Sequence, residues 1–545
     1  MRAIQATPKT VRELFNESYV IPNFQRPYSW EKDKCETLWM DILNFHSSLK
    51  DDKEQYYLGT IVVYPNETDK RLSVIDGQQR LTSLLLLVKA LFSHASTVTA
   101  LERCIFLENK LSGEKTDELR IVSKVIAQDF DDLKAVVFND ETTDAKTPLV
   151  TNHSYFHNQV GEWIARQNDS EKLENFIISL LDNVVILPIR CETQDDALTI
   201  FETINDRGQP LSDADIFKAK LYNSAPTADR DSLIARWNNL DGHDSLFRQL
   251  MHVYRAQAGD TTSEVSLRSY FTNGQRLAEW DKTLTSLEKL NLANRIQEWT
   301  DLLGYSAVSS LYGILKTHSN NNWSYPVYVF LHKYGELIDD AFHLSRENAD
   351  KLEKLLRASI RYNLLMGTVH NTVGAVRDTI YKVYVKIEAA SDYLKEYADA
   401  VSTDDLTIFE ARLGEGAFGK RYKKAYILLA SFLNPNQKMD DFSNFIWAKY
   451  DLEHTLPVKW NDYDAWDSGT HAIYLNSLGN MYPLEKSVNI HASNEYFKRK
   501  KEKYASSKVQ DILDLRKIAD AGWIPKQVEA KESEKLERLK TFFIS

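Results

Sequence analysis

The chain has 545 residues with a formal charge of −11, 43% hydrophobic and 27% charged residues, and only 19 Gly and 13 Pro, which excludes a single hydrophobic core and a disordered or fibrous chain. Its acidity excludes a surface that is basic throughout, so any nucleic-acid contact must be local. The longest apolar stretch, Leu84–Val88 and Ala90–Phe92 around Lys89, is far short of a bilayer span, the start MRAIQATPKTVRELF lacks a signal-peptide layout, and Cys35, Cys104 and Cys191 form no CxxC pair, which together predict a multidomain cytoplasmic protein with reduced, buried thiols and no membrane segment.

The first two hundred or so residues read as an α/β or α+β region. IPNFQRPYSWEKDKCETLWMDI places Gln25, Arg26 and Pro27 ahead of Trp30 and an amphipathic helix. YYLGTIVVY and RLSVID carry the pattern of strands, and LTSLLLLVKALF that of a buried helix. Joining the second strand to that helix is Asp76-Gly77-Gln78-Gln79-Arg80. A strand that runs through Asp-Gly into a helix start leaves backbone N–H groups facing outward, a natural anion site. Gly77 allows close approach, Arg80 can clamp a phosphate, and Asp76 can hold a divalent cation or position a water. NVVILPIRC reads as another buried strand, followed by a helix through TQDDALTIFETI, a turn at NDRGQP and a helix LSDADIFKAKLYN capped by Ser212 or Asp213. This third segment adds Asn205, Arg207, Asp215 and Lys218, a mixture of cations and carboxylates suited to nucleotide phosphates. The plain alternative is a buried ion network of Arg26, Asp76 and Arg80 that only fixes the domain, and the residues by themselves leave both readings open.

From about Trp237 to Ala400 the strand pattern fades, and amphipathic stretches such as KLEKLLRASIRYNLLMG predict a helical middle domain. The polar run Ser402-Thr403-Asp404-Asp405 reads as a hinge into a C-terminal domain rich in Tyr, Phe and Trp.

In that last region YDLEHTLPVKW predicts a strand ending in a fixed turn, with Asn480 following in LGNMYPL and Asn489 in KSVNIHASN. Metal-assisted phosphodiester cleavage needs a general base, oxygen donors for a hard cation, and a group that orients the base. His454 suits the base; Glu453 and Asn489 offer oxygen donors for Mg2+ or Mn2+; Asp451, on the same strand face as Glu453, can share the metal; Asn480 is expected to orient His454. The roles of His491 and Asn494 stay open. EYFKRKKEKY supplies Lys498, Arg499, Lys500, Lys501 and Lys503, expected at the end of the site's helix to meet DNA phosphates, with a merely solvated charged helix as the alternative. Each residue alone is weak evidence of chemistry. Together they resemble the ββα-metal HNH motif, with Glu453 standing where many such sites have Asp.

QRPYSW, IDGQQRLTSLL and FETINDRGQPLSDADIFKAKL resemble three signatures of the N-terminal domain of GmrSD-type restriction proteins, a modification-dependent, type IV-like family, and the HNH segment resembles that family's C-terminal domain. The resemblance implies an α+β multidomain chain: a ParB/sulfiredoxin-like α/β NTPase or sensor domain over residues 1–228, a helical middle domain over 229–403, and a mostly helical HNH nuclease domain over 404–545. By the same resemblance Asp76, Gln78, Gln79 and Arg80 belong to the nucleotide site with Arg26 alongside, and His454 with Asn480 or Asn489 forms the nuclease core. Gln25, Gly77, Asn205, Arg207 and Lys218 complete the expected nucleotide set, and Glu453, Asn489 and Asp451 the metal set.

The implied function is an NTP-regulated, Mg2+- or Mn2+-dependent DNA endonuclease or nickase in anti-phage defence, acting on modified double-stranded phage DNA. The helical middle would transmit nucleotide state to the nuclease. Rival readings are an NTP-dependent DNA-modification sensor or toxin component with a weak or inactive HNH domain, and a regulator whose N-terminal site binds DNA. A second copy of the chain and a separate defence-system protein are further candidate partners.

Overall fold

The computed structural model describes residues 5–51, 53–66, 70–109, 111–125, 127–139, 147–167, 169–204, 212–262, 266–272, 276–296, 305–318, 320–370, 376–416, 421–459, 466–519 and 522–544. It is an α+β protein of two compact units, residues 1–237 with 277–280 and residues 238–276 with 281–545.

The first unit is built on a mixed seven-stranded sheet. In chain order its strands are β1 (Gln5–Ala6), β2 (Lys9–Thr10), β3 (Tyr19–Ile21), β4 (Tyr56–Pro65), β5 (Leu72–Asp76), β8 (Ile121–Ser123) and β9 (Val184–Arg190), while β6 (Phe106–Glu108) and β7 (Lys115–Leu119) form a separate ladder. The spatial order is β1-β9-β4-β5-β3-β8, with β2 also on β9. β4 pairs with β9 in parallel and with β5 antiparallel; β3 lies parallel to both β5 and β8. The expected strands YYLGTIVVY, RLSVID and NVVILPIRC are β4, β5 and β9, at the centre of the sheet, where β-branched side chains fill both faces. LTSLLLLVKALF lies within the helix Gln78–His94, whose Leu81 and Leu84–Leu87 are fully buried. It packs against the helix Pro148–Gln167 and extends the core laid down by β3, β4 and β5. Ser212 is the N-cap of the helix Asp213–Ser224, its hydroxyl accepting from the Asp215 amide in a capping box. All three cysteines are free and buried.

The second unit is mainly helical. Its longest helix, Arg346–His370, packs against Ser306–Leu315, Ser324–Tyr334 and Thr403–Gly414. One feature departs from the expected pattern. The middle region carries a hairpin, β10 (Glu336–Ile338) and β11 (Ala341–His343), turned by Asp339 and Asp340 at φ 49° and 58°, a left-handed pair that short acidic side chains tolerate. The polar run at Ser402 is a helix cap: Ser402 accepts from the Asp405 amide, and Asp405 accepts in return from the Ser402 amide. Further along, β12 (Tyr450–His454) and β13 (Met481–Glu485) pair antiparallel, and the helix Lys486–Ala492 follows β13 at once. Among the described residues no helix is long and apolar enough to cross a membrane.

Candidate functional site

The first candidate site lies where β5, β3 and β8, all parallel, end at Asp76, Ile21 and Ser123. Ligands in open α/β sheets gather outside such carboxyl ends. Gly77 turns β5 into the helix with φ +84°, and a Cβ there would lie 2.5 Å from Ile61 Cγ2, so only glycine makes this exit. The loop Pro22–Trp30 crosses the strand ends and is pinned by glutamines. Gln25 Nε2 donates to the Ile75 carbonyl at 3.1 Å, Gln78 Nε2 to the Arg26 carbonyl at 2.9 Å and Gln79 Nε2 to the Pro27 carbonyl at 3.1 Å. Gln79 Oε1 also accepts from the amides of Ser29 at 2.8 Å and Trp30 at 3.1 Å. Gln25 and Gln79 therefore act on the loop rather than reaching outward. Gln78 keeps a buried Oε1 without a partner, in a small cleft that Arg26, Gln79, Ile21 and Ser123 also line.

Asp76 sits among cations at this exit. Burial raises its pKa, opposed by the Gly77 amide and by the charges of Arg80 and Arg26. Arg80 donates to the Thr60 carbonyl at 2.6 Å, its guanidinium laid over Gly59, where a Cβ would come within 2.9 Å of Arg80 Cζ. Asp76, Arg26, Arg80 and Gln78 are thus brought together as expected. Lys218 is not among the charges Asp76 feels. It is buried beside Asp215 with its ammonium 6.0 Å from the Trp237 ring centre, and burial lowers its pKa to about 8. Asn205 and Arg207 lie outside the described residues.

At the second site the expected residues separate. The register pairs His454 with Met481 and Glu453 with Tyr482, and strand alternation puts Glu453 and Asp451 on one face and His454 on the other. Glu453 is 4% exposed; its Oε1 accepts from Lys500 Nζ at 2.6 Å and from the Tyr504 hydroxyl at 2.7 Å. An ammonium in that position repels a divalent cation, so Glu453 does not fit a metal-ligand role. Asn480 was expected to orient His454, yet it is fully buried and bonded elsewhere. Its Oδ1 accepts from the Leu456 amide at 2.6 Å and Trp523 Nε1 at 3.0 Å, and its Nδ2 donates to the carbonyls of Leu475 at 2.8 Å and Leu456 at 3.3 Å. The group at the imidazole is Asn476, whose Oδ1 lies 3.3 Å from His454 Nε2 and whose carbonyl accepts from Lys423 Nζ at 2.5 Å. No spacing in the sequence singles out Asn476. Nε2 so placed carries the ring proton and leaves Nδ1 as the basic nitrogen. Burial lowers the His454 pKa, with Asn476 and Glu453 opposing and the Lys423 and Lys500 charges reinforcing, so the ring is neutral near pH 7.

Asn489 is half-buried on the helix Lys486–Ala492, which packs against β12 and β13, and Asp451 is half-buried on β12. Among the described residues no three His, Cys, Asp or Glu side chains are spaced to hold a metal. Strand parity puts Asp451, like Glu453, on the face opposite His454, so of the expected metal set Asn489 remains, on the helix. A single protein oxygen leaves the other positions of Mg2+ or Mn2+, which keep several waters, to water and phosphate.

The basic run divides too. Ser493, at φ 43°, ends the helix Lys486–Ala492, and Lys498–Lys503 belong to a second helix, Phe497–Lys503. Lys498, Arg499 and Lys503 are exposed, whereas Lys500 is 1% exposed and Lys501 donates to the Ile518 carbonyl at 2.5 Å. Three of the five cations can meet phosphate. His491 is exposed, its Nδ1 2.7 Å from the Ser487 carbonyl, and Asn494 is exposed.

Both sites fall in regions that match known families. A family model described as GmrSD restriction endonuclease, N-terminal domain, matches residues 11–222, and one described as GmrSD restriction endonucleases, C-terminal domain, matches residues 405–537. No curated protein matches the chain.

Proposed function

The chain belongs to the GmrSD restriction endonuclease family, carrying its N-terminal and C-terminal domains in that order, and from this premise of a restriction endonuclease acting on DNA we propose an NTP-regulated HNH nuclease or nickase directed at modified phage DNA. The observation that carries the nuclease half is His454: a neutral imidazole at a strand end, its Nε2 held by Asn476, ahead of the helix that bears Asn489. In this reading Nδ1 takes a proton from water as its oxygen bonds to phosphorus, and the ester P–O bond breaks with its electron pair going to the leaving oxygen, which takes a proton from solvent water. Lys498, Arg499 and Lys503 hold the backbone, and Asn489 would hold Mg2+ or Mn2+ together with waters and phosphate oxygens. Such a cation, when bound, offsets charge on the phosphate oxygens.

The nucleotide half rests on the β5 exit, where Asp76 lies near Arg26 and Arg80, and on the small cleft beside it. The cleft is lined by Arg26, suited to phosphate, and by the unpartnered Gln78 Oε1, which calls for an N–H or O–H donor, while Arg80 lies at the same strand exit against Thr60 and Gly59. A phosphate group at the arginines and a single N–H or O–H donor at Gln78 would meet both demands, the cleft itself being small. One observation favours a second reading: Glu453 is committed to Lys500, as suits a DNA-modification sensor or toxin component whose HNH site is weak.

The test is plasmid cleavage on unmodified, base-modified and phosphorothioated DNA, with each NTP or none, in Mg2+ or Mn2+. Cutting of one modified substrate that changes with one NTP is expected. DNA binding and NTP turnover without cutting would select the sensor reading.

A further inference from the structure

The turn that carries His454 is held at successive residues. The Thr455 amide donates to the Asn480 carbonyl at 3.0 Å. Both main-chain groups of Leu456 meet the Asn480 amide, at 2.6 and 3.3 Å, and His471 Nε2 lies 2.9 Å from the Pro457 carbonyl. The carbonyl of His454 itself is taken by Lys500, whose Nζ donates to it at 2.7 Å while also donating to Glu453 Oε1 at 2.6 Å. Tyr504 completes the group through its hydroxyl, 2.7 Å from the same carboxylate oxygen.

We propose that Lys500 is a positioning residue of the nuclease site: from a buried seat it fixes His454 by the main-chain carbonyl, with Glu453 as its counter-ion. The inference rests on the nuclease reading of His454. At 1% exposure the Lys500 ammonium cannot reach a phosphate, so the basic run contributes it to the interior. A buried ion pair is seldom kept for stability alone, because an apolar pair of similar volume does as well. The third partner, the His454 carbonyl, gives this pair a task that an apolar pair cannot perform. Holding that carbonyl sets ψ of His454 and with it the path of the turn toward Asn480. The imidazole can then stay against Asn476, 22 residues away in the chain. Displacements of about 1 Å in a reacting group lower rates by on the order of 100-fold, so a hold on the main chain matters as much as one on the ring.

The experiment uses the full chain and four variants: the neutral pair Glu453→Gln with Lys500→Met, the swapped pair Glu453→Lys with Lys500→Glu, the surface set Lys498→Met with Arg499→Met and Lys503→Met, and His454→Ala. Single-turnover cutting with saturating enzyme, DNA affinity against salt, Tm, and deuterium exchange over residues 453–457 are read for each. The neutral pair should fold, bind DNA with the parent affinity and salt slope, and cut on the order of 100-fold more slowly, with faster exchange at the Thr455 and Leu456 amides. The swap should regain Tm without regaining rate, since a lysine at position 453 cannot serve the carbonyl of residue 454. The surface set should lose affinity and salt slope instead. Parent-like cutting by the neutral pair, a loss expressed as DNA affinity, or a swap that restores rate together with Tm would each overturn the proposal. If His454→Ala cuts like the parent, the nuclease reading has failed on its own. Exchange then decides for Lys500: unchanged protection at residues 453–457 in the neutral pair overturns the positioning role, and faster exchange supports it.

Discussion

The exits of β5 and β12 use similar residues to opposite ends. At β5 the carboxylate of Asp76 stays at the strand end with Arg26 and Arg80 around it, and an unpartnered Gln78 oxygen faces a cleft. At β12 the carboxylate of Glu453 turns inward to Lys500 and Tyr504, and the residue left on the outer face is His454. The first group has electrostatic capacity left for a ligand; the second has spent its charges on holding one imidazole. An acidic residue at a strand end is thus a binding group or a counter-ion according to strand parity and to what the following helix delivers.

The largest effect should separate the two exits by stability. Lys500→Met alone strands Glu453 in the interior and should cost about 3–5 kcal/mol in urea unfolding. Arg80→Met, at the β5 exit, should cost about 1 kcal/mol. Equal costs would mean that the N-terminal ions are scaffold as well, and the contrast would collapse. Next, Asn480→Ala frees the Leu456 amide and Trp523 Nε1, which should cost about 2–3 kcal/mol by the same measurement.

Asp76→Asn should act in the opposite direction. A carboxyl whose pKa is raised on folding destabilises the native state once it is ionised. The variant should therefore gain roughly 2 °C in Tm at neutral pH while losing NTP turnover. The gain should vanish below the ordinary carboxylate value of 3.8, where both states are protonated. A fall in Tm at neutral pH would show that Asp76 holds the fold rather than a ligand.

The smallest effect concerns pH. With the His454 pKa lowered from 6.5, cutting should rise from acid with an inflection below that value and be flat above it. Between the two pKa values the unfolded chain binds more protons, so stability should also fall as pH drops through that window. An acid limb centred above 6.5 would contradict the buried, cation-flanked imidazole.

Much of this was legible in the residues. β4, β5, β9 and the helix after Gly77 follow from apolar runs of the right length, and Ser212 from a cap three residues before Asp215. The ladder of β6 with β7 and the hairpin of β10 with β11 were not, because strands of three to five residues with mixed side chains leave no clear periodic trace. The basic run was read as one surface, though Phe497, Lys500 and Tyr504, at i, i+3 and i+7, mark an inward face. The pairing of Lys500 with Glu453 across 47 positions and of Asn476 with His454 is tertiary, and neither is encoded in local spacing.

The central claim is that His454 at the β12 exit is the base of the cutting reaction. The direct measurement is single-turnover cleavage of the responsive substrate by the parent and by His454→Ala, with DNA affinity and Tm read on the same preparations. A rate loss of about 10²–10⁴-fold, with affinity and Tm unchanged, is predicted. Parent-like cutting by the variant would contradict it.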